Sequence, residues 1–326
     1  MSILTSSYTT SCSGMFFLLL FFMQNKRDPE KFVDFLLLNF KKIVLKLIFK
    51  QKKMSRYAQL VVGPAGSGKS TYISAMLEHA EASKRSMFAV NLDPAAEVFN
   101  YQPAIDIREL VHVDDVMEDP ELRFGPNGGL VYAMEYLMDN VDWLAERLGT
   151  SDDDYVLFDT PGQIELVSHF DLMKKFVRFL EKENFRVCVV FLLDSQFVSD
   201  MSKYFSSLMV SLITLINLEL PVVNILSKVD KIPNESRKFL DELLEPGYDL
   251  LQQDIPNFDG KLTINSGDKY QQLSRAFARV IDDYSLQRFM PLSVLDEELI
   301  NDVLAAVDRA IQFGENSDVQ TTDYEM

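Results

Sequence analysis

The stretch Gly63-Pro64-Ala65-Gly66-Ser67-Gly68-Lys69-Ser70 fits the pattern G-x-x-x-x-G-K-[ST] and stands between two runs of different character. Ahead of it, Tyr57-Ala58-Gln59-Leu60-Val61-Val62 is short and apolar, as a buried strand is; behind it, Thr71 to His79 has the pattern of a helix. That context is what a phosphate-binding loop requires. Glycines let successive backbone N–H groups turn inward around phosphate oxygens, and the helix that follows offers its positive N-terminal end. Lys69 then supplies a point charge for the terminal phosphates, and the Ser70 hydroxyl is placed to ligate Mg²⁺. A chance glycine-rich turn is the bland alternative, and it leaves both flanks unexplained.

Outward from this loop, short apolar runs alternate with helical patterns, which is the signature of an α/β fold with a parallel sheet covered on both faces. Strands are expected at 57–62, 86–91, 155–158, 187–193, 221–226 and 288–292, and helices between them carry a 3.6-residue period, as in Leu130, Met134, Leu137 and Met138. The fold class that follows is a P-loop NTPase fold, mainly parallel. The run from Leu208 to Leu218 is apolar nearly all round yet interrupted by polar residues and ended by Glu219 and Pro221, so it is no membrane span. Such a helix is buried either in the core or against another subunit.

Charge divides the chain. Residues 1–53 hold nine Lys/Arg and three Asp/Glu, which leaves 23 basic against 46 acidic groups in the remainder. So acidic a body argues against direct nucleic-acid binding through general electrostatics and points to basic protein partners or to simple solubility. The two cysteines, Cys12 and Cys188, are far apart and unpatterned, which excludes a disulfide framework and a cysteine-based zinc site and makes a reducing compartment the default. The apolar run Met15 to Met23 is too short to cross a bilayer, and Phe32 to Phe49 mixes apolar residues with lysines. Residues 1–53 are therefore expected to be an N-terminal extension outside the fold, from an alternative start or gene model, since Met54-Ser55-Arg56-Tyr57 reads as a natural beginning. A membrane-surface helix is the second reading of that extension, and a secretory or transmembrane role the third. Residues 54–314 are expected to form the nucleotide-binding domain, and 315–326 a polar, acidic, disordered tail.

Two further motifs sharpen the chemistry. Tyr155 to Phe158 is an apolar strand that ends in Asp159-Thr160-Pro161-Gly162-Gln163. An aspartate at the carboxyl end of a strand beside a phosphate loop holds Mg²⁺ directly or through water, and the residue after the glycine is placed to orient an attacking water. Asn224 to Leu226 likewise leads into Ser227-Lys228-Val229-Asp230. This resembles the guanine-recognition pattern [NT]-K-x-D, whose aspartate accepts hydrogen bonds from the guanine ring N–H and exocyclic amine. Adenine offers no such pair of donors, so the carboxylate rejects it. Ser227 departs from the pattern, which bears on affinity more than on base identity. Asn91-Leu92-Asp93-Pro94-Ala95 puts Asp93 at the same sheet edge, as a second Mg²⁺ contact or a general base; an Asx turn before Pro94 is an equal alternative. Arg108, between Asp106 and Glu109, invites a role as an arginine finger, although a salt bridge to one of those neighbours is the simpler reading.

Phe124-Gly125-Pro126-Asn127-Gly128-Gly129 adds the fourth piece. With G-P-A-G-S-G-K-S-T, N-L-D-P-A and D-T-P-G-Q-I-E in order, the chain resembles the GPN-loop GTPases over roughly residues 54–314, and most of all their third eukaryotic paralogous group. The resemblance implies a GTPase of the nucleotide-dependent dimer class that works with a paralogous GPN-loop GTPase in assembly and nuclear import of RNA polymerase II, with its subunits or assembly factors as partners. It implies a cytoplasmic protein that can shuttle to the nucleus, with GTP and Mg²⁺ as ligands. Phosphate binding falls on Gly66, Ser67, Gly68, Lys69, Ser70 and Thr71, base binding on Lys228 and Asp230 with Ser293 and Val294 nearby. Asp93, Asp159, Gln163 and Glu165 surround metal and water, with Ser70, Asp93 and Asp159 toward the metal. Asn127 acts in trans, on the partner's nucleotide. A different class of reading keeps GTP as a structural ligand of an assembly subunit with little hydrolysis. An ATP-dependent kinase is a third, which the Asp230 motif disfavours.

Overall fold

Seven residues in a row with every side chain buried make strand β1 (Arg56–Val62) a central strand, since a parallel sheet covered on both faces leaves no polar side. The computed structural model describes residues 55–118, 124–152, 154–163, 171–199, 201–232 and 289–314. The expected extension 1–53, the tail 315–326 and Glu165 lie outside the described residues.

From β1 the chain passes through the glycine loop into α1 (Lys69–Ala82), then β2 (Phe88–Asn91), the two-residue β3 (Ile105–Asp106) and α2 (Val113–Glu118). Helices α3 (Pro126–Asp139) and α4 (Val141–Leu148) lead to β4 (Tyr155–Asp159), followed by α5 (Leu172–Lys182) and β5 (Phe185–Asp194). Helix α6 (Met201–Leu218), β6 (Val222–Ser227), β7 (Phe289–Leu292) and α7 (Glu297–Ile311) complete the described elements. The sheet order is β3-β2-β4-β1-β5-β6-β7, with every neighbouring pair parallel. All six expected strands are present. The short β3 was not expected, because two residues carry no periodic signal.

Alternation along β1 distributes the core. Ala58, Leu60 and Val62 face one layer with α3, α4, α5 and α6, while Tyr57 and Val61 face the other with α1 and α7. Helix α6 buries Leu208, Leu212, Leu215, Ile216 and Leu218 together with Ser211, Thr214 and Asn217. Most of its apolar character is therefore answered within the chain, as the core alternative expects, while Met209, Val210 and Ile213 stay half-buried.

One polar residue, Gln59, sits in the middle of β1 and is fully buried. Its Nε2 donates to the Tyr155 hydroxyl at 2.8 Å, and its Oε1 accepts from the Tyr72 hydroxyl of α1 at 2.7 Å. The Tyr155 hydroxyl in turn donates to Asp308 of α7, which pairs with Arg85 through two bonds of 2.7 and 3.0 Å. This chain of bonds fastens α1 and α7 to the same strand. Burial raises the pKa of both tyrosines, so they act as neutral donors. Tyr72→Phe strands the Gln59 amide oxygen, and we expect it to cost about 1–3 kcal/mol in urea unfolding with the slope unchanged. An unmoved midpoint would mean that the network does not secure α1.

Candidate functional site

The parallel register brings strand ends to one edge in a row. Asp106 pairs with Asn91, Asn91 with Asp159, and Asp159 with Val61, the residue two before the glycine loop. On the other side Asp194 pairs with Ser227, and Ser227 with Leu292. This is the carboxyl edge, where open α/β sheets bind their ligands.

The loop from Gly63 to Gly68 is closely held. A Cβ on Gly63, whose φ is +154°, would collide with the Leu192 carbonyl oxygen of β5, so only glycine lets the chain leave β1 here. Gly68 is left-handed at φ +91° and starts α1 without a side-chain cap, and the first turn holds no acidic residue. The N–H groups of Lys69, Ser70 and Thr71 thus enter the helix without intrahelical acceptors, an arrangement suited to an anion. Lys69 Nζ donates to Gly63 O at 3.2 Å and to Pro64 O at 3.5 Å, both long for an ammonium. Burial lowers the Lys69 pKa, partly opposed by Asp159 and then Asp93. A buried cation with weak partners, beside free helix N–H groups, fits a polyphosphate.

The carboxylate side is built around Asp159, which is 3% exposed. Its Oδ2 accepts from the Ser70 hydroxyl and from the Tyr101 hydroxyl, each at 2.9 Å. Burial pushes its pKa up, against these two bonds. Tyr101 is raised as well, by burial first and then by Asp159, which keeps it a donor. Asp93 forms the Asx turn, its Oδ1 accepting from the Ala95 N–H at 3.0 Å, and burial raises its pKa too. The turn and the proximity to Lys69 coexist, so the two readings of Asp93 are not exclusive. A hydroxyl and a carboxylate at the phosphate loop are the donor set Mg²⁺ takes, since it keeps several waters and needs few protein ligands.

Arg108 is no free finger. Its guanidinium binds Asp106 at 2.6 Å, donates to Ala96 O at 2.8 Å and lies 4.6 Å from the centre of the Phe99 ring. Burial works against ionisation of Asp106, but the hydrogen bonds from Arg108 outweigh it and hold its pKa low. Arg108 thus folds the segment that carries Asp93 and Tyr101 onto the sheet edge. Glu109 pairs with Arg147 instead.

The Asp159-Thr160-Pro161-Gly162 turn rests on the glycine loop: a Cβ on Gly162 would stand 3.0 Å from Ala65 Cα, and the Thr160 hydroxyl donates to Val61 O at 2.7 Å. Gln163, just beyond, donates from Nε2 to Asn127 Oδ1 at 2.7 Å. Gly-Pro-Asn is the start of α3, with Gly125 as its N-cap and Pro126 in its first turn. A helix start thus carries Asn127 to Gln163 of the same chain, a contact that the expected action in trans does not include.

On the other flank, the Ser227 hydroxyl contacts Ser67 O at 2.6 Å and Leu193 O at 3.1 Å, which ties the end of β6 to the phosphate loop. Lys228 is left-handed at φ +59°, a conformation that costs a non-glycine residue about 1–3 kcal/mol. Its Nζ donates to Gly66 O at 2.6 Å and to Asp194 Oδ2 at 2.7 Å. Asp230 is exposed at the edge. Ser293 is buried, with its hydroxyl accepting from the Leu295 N–H, and Val294 beside it is exposed. Tyr101 and Asp194 were missed in the sequence. Asp194 had a signal, since it ends an apolar strand as Asp159 does; Tyr101 had none.

The family model described as "Conserved hypothetical ATP binding protein" matches residues 61–313. The chain is 50% identical to GPN-loop GTPase 3 of Danio rerio over 268 residues, 82% of this chain and 92% of that one. It is 49% identical to GPN-loop GTPase 3 of Xenopus tropicalis over 264 residues, 81% of this chain and 90% of that one. Among solved structures, a GTPase from Pyrococcus abyssi in its apo form superposes with a TM-score of 0.63 at 26% identity, covering 79% of this chain and 98% of that one. At 50% identity to one such relative over 82% of its length, and carrying the phosphate loop, the Asp159 turn and Asn127 around one sheet edge, the chain belongs to the GPN-loop GTPase family.

Proposed function

We propose that this protein binds and hydrolyses GTP, and that it does so as a dimer with a paralogous GPN-loop GTPase in the assembly and nuclear import of RNA polymerase II. The observation that carries the catalytic part is the meeting of Lys69, Ser70 and Asp159 at the uncapped start of α1. The family model's description names ATP, but Asp230 at the end of the Ser-Lys-Val-Asp stretch favours guanine, and so do the names of the relatives. The polymerase role, the paralogue and a cytoplasmic location with nuclear shuttling rest on the family resemblance. The buried α6 lends a dimer no support.

Hydrolysis by such a site is positioning and electrostatics. Water attacks the γ-phosphorus, the bond to the β–γ bridging oxygen breaks, and GDP and phosphate leave. The backbone N–H groups of the glycine loop hold the phosphates, and Lys69 offsets charge that builds on the leaving oxygen. Ser70 and Asp159, with Asp93 beside them, would hold Mg²⁺, which when bound neutralises phosphate charge. Gln163 orients the water, and Asn127 fixes the Gln163 carboxamide through their hydrogen bond or meets the partner's phosphate in trans. Single-turnover hydrolysis, alone and with the paralogue, separates this cycle from a structural GTP.

Three outcomes are expected. Lys69→Ala should lower GTP affinity or hydrolysis by at least about tenfold and leave thermal unfolding intact, because the ammonium has only weak partners in the fold. Unchanged affinity at physiological salt would remove the phosphate-loop assignment. Asp230→Asn should weaken GTP and gain xanthine nucleotide, since an amide donates where that base presents a carbonyl. Equal wild-type affinity for ATP and GTP would take guanine selection out of the account. Asn127→Ala should slow hydrolysis far more than it weakens GTP binding, because its group serves the transition state. Sedimentation with GTP and Mg²⁺, with and without the paralogue, reports the dimer; a monomer in both, hydrolysing normally as Asn127→Ala, would refute the trans role.

A further inference from the structure

We infer that Asp194 is a positioning residue for recognition of the nucleotide base, acting through Lys228; the inference rests on the guanine reading above. Three segments meet at this point: the glycine loop at Gly66 and Ser67, the end of β5 at Leu193 to Ser195, and the end of β6 at Ser227 and Lys228.

Lys228 is fixed at both ends. Its backbone carbonyl accepts from the Ser195 hydroxyl at 2.9 Å, and its left-handed conformation turns the chain sharply just before Val229 and Asp230. Its ammonium is held between Gly66 O and Asp194 Oδ2. The stem between them crosses the glycine loop, for its Cε lies 3.7 Å from where a Cβ on Gly68 would stand. Lys228 is thus a strut laid from the base side to the phosphate side, with its charge already neutralised by a half-buried carboxylate.

Asp194 is in turn held in place. Its Oδ1 accepts from the Gln196 N–H at 2.9 Å, which closes the turn after β5 and leaves Oδ2 aimed at Lys228. A carbonyl alone is a neutral acceptor, so without Asp194 the ammonium keeps one weak anchor and is drawn to solvent or to the phosphates. The stem then leaves the loop, and the turn that presents Asp230 loses its support. Both GDP and GTP carry the base, so both should suffer alike, and the chemical step should suffer least.

The test uses the full chain and a fluorescent GDP analogue. Asp194→Asn keeps the shape but removes the charge, and should speed GDP release and raise the KM for GTP by about tenfold or more, with a much smaller fall in kcat. Asp194→Glu, which keeps the charge, should recover part of the loss. In Lys228→Met, adding Asp194→Asn should cost nothing further, because its effect runs through the ammonium. Additive losses in that cycle, or a fall in affinity matched by an equal fall in thermal stability in both Asp194 variants, would overturn the proposal. Unchanged GDP release in Asp194→Asn would overturn it while leaving the guanine reading intact. A wild-type chain that does not bind the GDP analogue would overturn both.

Discussion

Among the described residues every strand of the sheet is parallel, and that one constraint puts the phosphate loop and its partners on a single edge. A parallel strand must be re-entered from the opposite end, so each crossover helix starts where a strand has just finished. The glycine loop, the Asp159 turn, the Ser227 turn and the Ser293 loop are all such exits. None of them is near another in sequence. Register alone makes Asp159 a neighbour of the phosphate loop and Asp194 a neighbour of Ser227.

Close packing then turns proximity into a defined site. The loop leaves β1 at Gly63 under the Leu192 carbonyl, and Gly162 lies against Ala65, so the backbone of two exits touches with no side chain between. Side chains larger than glycine at either point would separate the exits by about the width of a methyl group, enough to spoil hydrogen bonds that span them. Ser227 makes the equivalent tie on the far flank with a hydroxyl, bonding to Ser67 O. Serine at this position, where the guanine pattern has asparagine or threonine, keeps a hydroxyl that reaches the phosphate loop.

How legible this was in the sequence follows from the range of the forces involved. Strands and helices announced themselves because burial on both faces demands apolar runs, and Lys69, Ser70, Asp159 and Lys228 because each sits at a fixed offset from a glycine or a strand end. Asp93 was legible as an edge residue. Arg108 was legible only as a pair of alternatives, since two acids flank it and the choice between them depends on where Ala96 and Phe99 come to rest. Tyr101 and the Gln163–Asn127 bond could not be read at all. They join residues 58 and 36 positions apart, and no local pattern encodes such a meeting.

The charges at the edge are arranged for a ligand more than for the fold. Burial depresses the Lys69 pKa and raises those of Asp93 and Asp159, so each is held where its charged form is disfavoured. For the two carboxylates the sign is unfavourable to stability. With folded values above unfolded ones, the folded state binds protons more readily, and stability falls as pH rises from the ordinary aspartate range through the raised values. Above that window the strain is fully present. Asp106 runs the other way: its pKa is held down by Arg108, so it contributes stability that is present above the ordinary aspartate value and lost as pH falls through the depressed one. The residues that fold the edge are thus paired, and those that face the phosphate loop are left under electrostatic strain. A polyphosphate beside Lys69 and a divalent cation beside Asp159 relieve opposite halves of that strain, so the two ligands should bind better together than apart.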